Sequence, residues 1–153
     1  MGCDESTTDN QITPRLLFDQ LNRPEVTGIQ QLWPHQIEVL DRYFADLRQS
    51  RAVGIELPTG SGKTLIGLLV LEWARRQGKR VAVLTSSKAL AADVAAKAEA
   101  LQIPTVVVTG TRGLTDEEFR ERSLDLRQYK RKLAIGVMNY WPTFMEHSNR
   151  PIY

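Results

Sequence analysis

A short glycine-bearing stretch between two apolar segments constrains the fold of this chain more than any other feature. Residues 56–64 read Glu-Leu-Pro-Thr-Gly-Ser-Gly-Lys-Thr. The apolar pattern over residues 51–57 predicts a short buried strand, and the apolar run over 65–74 predicts a helix. A glycine turn that leads from a strand into a helix presents backbone N–H groups and the positive end of the helix dipole together. The sequence therefore predicts a phosphate-binding turn within an α/β fold.

The polar residues of this turn predict which phosphate ligand it holds. The Lys63 side chain can reach terminal phosphates, and the Thr64 hydroxyl can ligate magnesium. We therefore expect ATP and Mg²⁺ as cofactors, with Lys63 in a catalytic role and Thr64 at the metal. The predicted nucleotide-binding residues of the turn are Pro58, Thr59, Gly60, Ser61, Gly62, Lys63 and Thr64. The general P-loop pattern has a glycine five residues before Gly62, where this chain has Leu57.

Composition bounds the class of protein without identifying it. A length of 153 residues, with 42% apolar and 25% charged residues, indicates one soluble globular domain. The net charge of +2 does not by itself argue for nucleic acid. Cys3 is the only cysteine, which excludes an internal disulfide and fits a reducing cytoplasm, the expected location. No apolar run approaches the roughly 20 residues of a membrane span.

The residues before the turn divide into a tail and a helical unit. Residues 1–13 are polar and predicted to be disordered, a short helix is possible over 15–21, and 24–31 is predicted as a connecting loop. We therefore assign 1–30 to a polar tail and linker. A helix is predicted from about residue 35 to 49, because apolar residues recur there at helical spacing. They are Ile37, Leu40, Tyr43, Phe44 and Leu47.

Strands and helices alternate after the turn, as in a sheet with crossover helices. Strands are predicted over residues 80–85, 105–109 and 132–138, the first of them buried. A helix is predicted from Ser86 to about Leu101. Its expected apolar face consists of Leu90, Val94, Ala98 and Leu101. A charged helix is predicted from Thr115 to about Arg131, opened by a capping box.

Two of these segments resemble motifs of the superfamily 2 helicases, which include DEAD/DEAH-box and restriction-type proteins. Residues 58–64 resemble motif I, which in that superfamily usually lacks the first glycine. Trp33-Pro34-His35-Gln36 resembles the cluster that precedes motif I, in which the glutamine amide pairs with adenine. The resemblance adds Gln36 to the nucleotide-binding residues. Periodicity alone favours a surface polar residue of a helix at that position.

Two further segments stand where nucleic-acid-binding motifs are found in superfamily 2 proteins. Residues 86–90 occupy the place of motif Ia, and 138–140 occupy that of motif Ib. The resemblance implies nucleic-acid contacts by Ser87, Lys88, Asn139 and Tyr140. The alternatives are a helix N-cap for Ser87 and core packing for the aromatic residues near Tyr140.

An acidic residue that holds magnesium is missing from the predicted strand ends. Thr85, Thr109 and Asn139 occupy those positions. In the superfamily 2 pattern the DExx box comes one element after motif Ib, beyond Tyr153. The resemblance therefore implies a P-loop NTPase, RecA-like, three-layer lobe with a mostly parallel sheet, spanning residues 31–153 and truncated before the DExx strand.

The implied function is the ATP-binding part of a nucleic-acid helicase or translocase, and this chain alone is expected to be inactive. Hydrolysis would need the DExx box and a second RecA-like lobe. The expected partners are nucleic acid, DNA rather than RNA, and the remainder of the helicase, with no membrane. One alternative is a small stand-alone P-loop nucleotide-binding protein or kinase, which Leu57 and the helix of Gln36 argue against. Another is a regulatory module that binds without hydrolysis.

Overall fold

The computed structural model describes residues 12–108 and 132–137. The helices are α1 (Pro14–Leu21), α2 (Pro24–Thr27), α3 (Pro34–Arg42), α4 (Lys63–Arg76) and α5 (Lys88–Ala100). A π-helical segment, Tyr43–Leu47, continues α3. The strands are β1 (Ala82–Thr85), β2 (Thr105–Val108) and β3 (Leu133–Val137).

The three strands form one parallel sheet in the order β1-β3-β2. Ile135 is opposite both Val83 and Val107, so the last strand in sequence lies between the other two. Every residue of β3 is buried, and α5 packs against the sheet. Apolar side chains on both faces of a strand are typical of parallel sheets covered by helices. The predicted α/β class with a parallel, RecA-like sheet is therefore confirmed.

Helix α1 belongs to the hydrophobic core. Thr13 caps it by accepting a hydrogen bond from the Leu16 N–H, and its apolar stripe packs against α3 and α4. Leu17 and Phe18 are almost completely buried, and the Trp73 indole of α4 donates to the Ile12 carbonyl at 2.8 Å. The helix predicted over residues 15–21 is thus confirmed. The predicted loop over 24–31 differs in that it contains the single turn α2.

The predicted helix over residues 35–49 forms as α3 and the π-helical segment. Leu40 is completely buried, whereas Tyr43 and Phe44 are half-buried. Both aromatic rings meet the Trp73 ring edge-on, with centroid separations of 6.2 and 5.7 Å. Edge-to-face aromatic contacts stabilise packing beyond the area they bury. These contacts join the helix before the glycine turn to α4, the helix after it.

The strand predicted over residues 51–57 is wrong. The structure has no strand there, and Ile55 is 40% exposed. Apolar alternation specifies one face of a strand, but a strand also needs a neighbour that completes its backbone hydrogen bonds. Among residues 12–108 and 132–137, no segment pairs with it. The apolar pattern was therefore insufficient to define a strand.

Two further predictions need correction. Leu90 is 49% exposed and does not contribute to the apolar face of α5, although Val94, Ala98 and Leu101 do. Ala91 is buried instead, because it lies three residues before Val94 and continues the stripe. The strand predicted over 80–85 is shorter and only half-buried, because β1 is an edge strand in the part of the sheet that is described. Residues 1–11 of the predicted tail (1–13) and the charged helix predicted from Thr115 to about Arg131 lie outside the described residues.

A charged cluster stabilises the C-terminal end of α4. The carboxylate of Glu72 is buried and accepts hydrogen bonds from the guanidinium groups of Arg75 and Arg76 at 2.7 and 2.8 Å. Arg76 also donates to the Gln20 side chain of α1 at 3.3 Å. Burial alone would raise the pKa of Glu72, but the two arginines outweigh it and lower that pKa below its ordinary value. Glu72 is therefore ionised, and Arg76 links this charged cluster of α4 to α1.

No helix in the described part of the chain is both long enough and apolar enough to cross a bilayer.

Candidate nucleotide-binding site

The glycine turn adopts a backbone conformation that only its glycines accept readily. Gly60 and Gly62 have φ angles of 82° and 81°, in the left-handed region. Between them the Ser61 hydroxyl donates to the Pro58 carbonyl at 2.6 Å, and the Ser61 N–H donates to the same carbonyl at 3.3 Å. These two hydrogen bonds of Ser61 therefore stabilise the turn. Seven of the eight residues predicted to bind nucleotide, 58–64, lie in this turn and the first turn of α4.

The turn leads directly into the N-terminus of α4, which has no side-chain cap. Gly62 is the N-cap residue, and no side chain among residues 12–108 and 132–137 is seen to accept from the first N–H groups of the helix. These N–H groups have no partner within the helix, and the helix dipole adds partial positive charge there. Such an end is suited to bind an anion. Lys63 and Thr64 occupy the first two positions of this helix.

The Lys63 ammonium is held close to the turn. Its Nζ donates to the Leu57 carbonyl at 2.7 Å, across the mouth of the turn, and the side chain is exposed. The Leu57 residue that replaces the usual first glycine therefore contributes a backbone acceptor. A carbonyl is a weaker partner for an ammonium than a phosphate oxygen, because the latter carries negative charge. Lys63 can therefore exchange this contact for a phosphate.

Gln36 is buried beside the turn rather than placed on the surface of α3. Its Oε1 accepts from the Trp33 N–H at 3.0 Å, and its Nε2 donates to the Ser61 carbonyl at 2.9 Å. The surface position expected from periodicity is therefore wrong, and nucleotide binding by Gln36 stays a prediction. A Cβ on Gly62 would overlap the Gln36 amide, so a larger residue there would displace that side chain from its hydrogen bond to Ser61.

His35 contacts the same carbonyl of the turn. Its Nε2 lies 3.0 Å from the Ser61 oxygen, and its ring packs against Trp33 with centroids 5.5 Å apart. A carbonyl oxygen has two lone pairs and can accept both hydrogen bonds. The first turn of α3 thus binds the glycine turn at one atom through two side chains.

A cleft of about 1000 Å³ opens at the glycine turn. The turn and the start of α4 form one wall, residues 26–31 with Trp33 form another, and the C-terminal half of α5 forms the third. Its lining includes Gly60, Gly62, Lys63, Thr64, Gln36, Val26, Ile29, Trp33, Leu68, Lys97 and Leu101. Lys63 and Thr64 lie at the turn, whereas the other two walls combine apolar residues such as Val26, Ile29 and Leu101 with polar ones. The polar residues of those walls are Thr27, Gln30, Gln31 and Lys97. Mostly apolar walls with a few polar groups are typical of small-molecule sites.

Hydrogen bonds fix the wall formed by residues 26–31. The Asn22 side chain donates to the Ile29 carbonyl at 2.7 Å and accepts from the Thr27 hydroxyl at 2.6 Å. The Ile29 N–H in turn donates to that hydroxyl at 3.2 Å, and Gly28 adopts the left-handed conformation at the end of α2. This segment was predicted as a loop without a role. Its Asn, Thr and Gly residues, which form local side-chain-to-backbone hydrogen bonds and tight turns, were the available signal.

Ser87 and Lys88, two of the four residues predicted to contact nucleic acid, do not line the cleft. Ser87 caps α5 by accepting from the Leu90 N–H at 3.2 Å, and Lys88 is exposed in the first turn of that helix. Asn139 and Tyr140 lie outside the described residues. The N-cap alternative for Ser87 is therefore realised, and contact with nucleic acid by these four residues stays a prediction.

A family model for DEAD/DEAH box helicases matches residues 33–149. No curated protein and no solved structure matches the chain. The match covers α3, the glycine turn, α4 and the whole described sheet. The α1 helix, α2 and most of the cleft wall over 26–31 precede it. Because the match includes well over half of the sequence, this chain belongs to the DEAD/DEAH box helicase family.

Proposed function

We propose that this chain is the ATP-binding part of a superfamily 2 helicase or translocase and binds ATP with Mg²⁺ at the glycine turn. The observation that carries this proposal is the uncapped N-terminus of α4, which follows a left-handed glycine turn and opens into a large cleft. These groups offer a polyphosphate several backbone donors, a helix dipole and a lysine at one place.

Lys63 and Thr64 are the side chains proposed to act on the phosphates and the metal. The Lys63 ammonium would leave the Leu57 carbonyl and bind the terminal phosphates, which stabilises their negative charge. Thr64, one residue further, would offer its hydroxyl to the metal. Magnesium, when bound, neutralises charge on the phosphate oxygens. Pro58, Thr59 and Ser61 would keep the turn in shape, and Gly60 and Gly62 would let backbone N–H groups approach.

Gln36 is proposed to recognise the base while it stays bound to the protein. One of its amide hydrogens is used by the Ser61 carbonyl, and one lone pair of its oxygen is used by the Trp33 N–H. A carboxamide has a second hydrogen and a second lone pair. Adenine offers a matching acceptor and donor, and the apolar residues Val26 and Ile29 line the same cleft.

Hydrolysis and movement on nucleic acid are proposed for the larger assembly to which such a lobe contributes. The residue at the end of β1 is Thr85, which cannot bind magnesium as a carboxylate does. We propose that the DExx acids and a second lobe complete the reaction, and that nucleic acid, DNA rather than RNA, is the substrate. Ser87 and Lys88 are the proposed contacts, since the Ser87 O–H hydrogen is not used by its bond to the Leu90 N–H.

Equilibrium binding of MgATP to the 153-residue chain tests this proposal. We expect ATP to bind, MgGTP to bind more weakly, and phosphate release to stay at the background rate. Absence of affinity for every adenine nucleotide would refute the proposed function. Phosphate release that disappears in Lys63→Ala would instead show that the acids outside this chain are not needed.

A further inference from the structure

The peptide group between Ser61 and Gly62 is held by the start of α3. Its carbonyl oxygen lies 2.9 Å from the Gln36 Nε2 and 3.0 Å from the His35 Nε2. Because a trans peptide is planar, the N–H of Gly62 points away from its carbonyl oxygen. Fixing the carbonyl on α3 therefore also fixes the direction of one N–H donor of the glycine turn.

Of the two donors, Gln36 is the one with a second task. In the proposed function its amide also recognises the base, through the second hydrogen and the second lone pair that its bonds to Ser61 and Trp33 leave available. His35 has no such task, since it does not line the cleft, and its ring packs against Trp33. The histidine bond is therefore the one that serves the turn alone.

We propose that His35 is a positioning residue for the phosphate-binding turn: its Nε2–H holds the Ser61 carbonyl and thereby keeps the Gly62 N–H oriented for phosphate. This inference rests on the proposed function of the same site. The bond requires a hydrogen on Nε2, so a neutral His35 must be the Nε2–H tautomer. The Nδ1–H tautomer would place a lone pair against the carbonyl and would repel it.

His35 and Gln36, which are adjacent in α3, would therefore contribute to different parts of nucleotide binding. Loss of the His35 donor should weaken binding at the phosphate end, whichever base the nucleotide carries. A part-buried hydrogen bond of this kind is worth about two- to tenfold in an equilibrium constant. Loss of base recognition would instead change the preference of ATP over GTP.

The test measures binding of MgATP and MgGTP to the wild-type chain, His35→Phe and His35→Gln, with thermal unfolding as a check on folding. Phenylalanine keeps a ring and removes the donor, whereas glutamine restores an N–H at a similar reach. We expect His35→Phe to weaken both nucleotides by the same factor, about two- to tenfold, and His35→Gln to recover most of the loss. Unchanged affinity in His35→Phe, or equal loss in both variants, would overturn the inference.

A second measurement is made on the wild-type chain. ¹⁵N NMR of its histidine side chains reports the tautomer of His35 directly, with His35→Gln used to assign its signal. We expect hydrogen on Nε2, and the Nδ1–H tautomer would overturn the inference. If the wild-type chain shows the Nε2–H tautomer but binds no nucleotide, the proposed function fails while the tautomer that the contact requires is present.

Discussion

Helices α4 and α5 begin in different ways, although ligand contacts were predicted at both N-termini, nucleotide at α4 and nucleic acid at α5. Helix α4 starts after Gly62, which offers its first N–H groups no side-chain acceptor. Helix α5 starts after Ser87, whose hydroxyl accepts from the Leu90 N–H at 3.2 Å. A cap satisfies an N–H donor within the protein, whereas a glycine leaves it to a ligand or to water. The comparison indicates that the residue at the N-cap decides whether a helix end stabilises the fold or binds an anion.

The largest effect expected from this comparison is that of Gly62→Ala. Alanine at position 62 would have to keep a left-handed φ of 81°, and its Cβ would overlap the Gln36 amide. The two effects together cost about 2 to 4 kcal/mol of unfolding free energy. We also expect weaker ATP binding, because the Gln36 amide must leave its position against the turn. Urea unfolding and nucleotide titration measure the two effects.

Gly60→Ala is the matched control for that substitution. Gly60 has nearly the same φ, 82°, but a Cβ there meets nothing within 4 Å. Only the backbone cost of about 1 to 2 kcal/mol is therefore expected. Equal destabilisation by the two variants would contradict the importance of the contact between Gly62 and Gln36.

The second effect concerns the lysine at the open helix end. Lys63→Ala should weaken MgATP binding by about ten- to hundredfold, because a hydrogen bond to a charged group is lost. Stability should change little, since the Lys63 side chain is exposed. Isothermal titration calorimetry gives the affinity. Lys79→Ala, which removes an exposed lysine beyond the other end of α4, is the control and should bind ATP as the wild type does.

The third effect concerns the capped N-terminus of α5. Ser87→Ala should destabilise the fold by about 1 kcal/mol, because the Leu90 N–H loses its cap. ATP affinity should stay unchanged. Chemical denaturation and nucleotide titration of the same preparation distinguish the two outcomes. A loss of ATP affinity without a loss of stability would show that α5, too, has a ligand-binding N-terminus.

The smallest expected effect comes from the C-terminal end of α4, where Arg75 and Arg76 bind the Glu72 carboxylate. The pKa of Glu72 is lowered in the folded chain, so its contribution to stability is complete above its ordinary value of 4.5 and is lost as the pH falls through the lowered pKa. Unfolding free energies measured between pH 6 and about 3 should show this loss. Glu72→Gln should remove that part of the pH dependence, and an unchanged acid limb in this variant would refute the assignment.

The sequence predicted more of the candidate site than of the sheet. The glycine turn is a local feature, since the residue types that permit its backbone and bind phosphate are consecutive in the chain. Gln36 was found only through the family resemblance, because periodicity indicates a face of a helix but not what that face contacts. The wall over residues 26–31 was missed because its position depends on tertiary packing of α1 and α2.

The sheet shows why a local sequence pattern does not predict a strand reliably, because a strand also depends on pairing with a neighbour. Residues 51–57 alternate as a strand should, yet they form none, because a strand is stabilised by a neighbour that the pattern does not specify. Leu90 fails for a related reason, since a helix stripe can pass through either of two adjacent positions. Ala91 is completely buried, whereas Leu90 is 49% exposed.

The position of β3 between β1 and β2 has a consequence for synthesis of the chain. Both earlier strands pair with β3, so on the ribosome they have no partner in this sheet until residues 133–137 emerge. Pairings between distant residues form slowly, because the intervening chain must first lose its freedom. Helices α1, α3 and α4 contact one another without the sheet, so the nascent protein can assemble the surroundings of its glycine turn before that sheet exists.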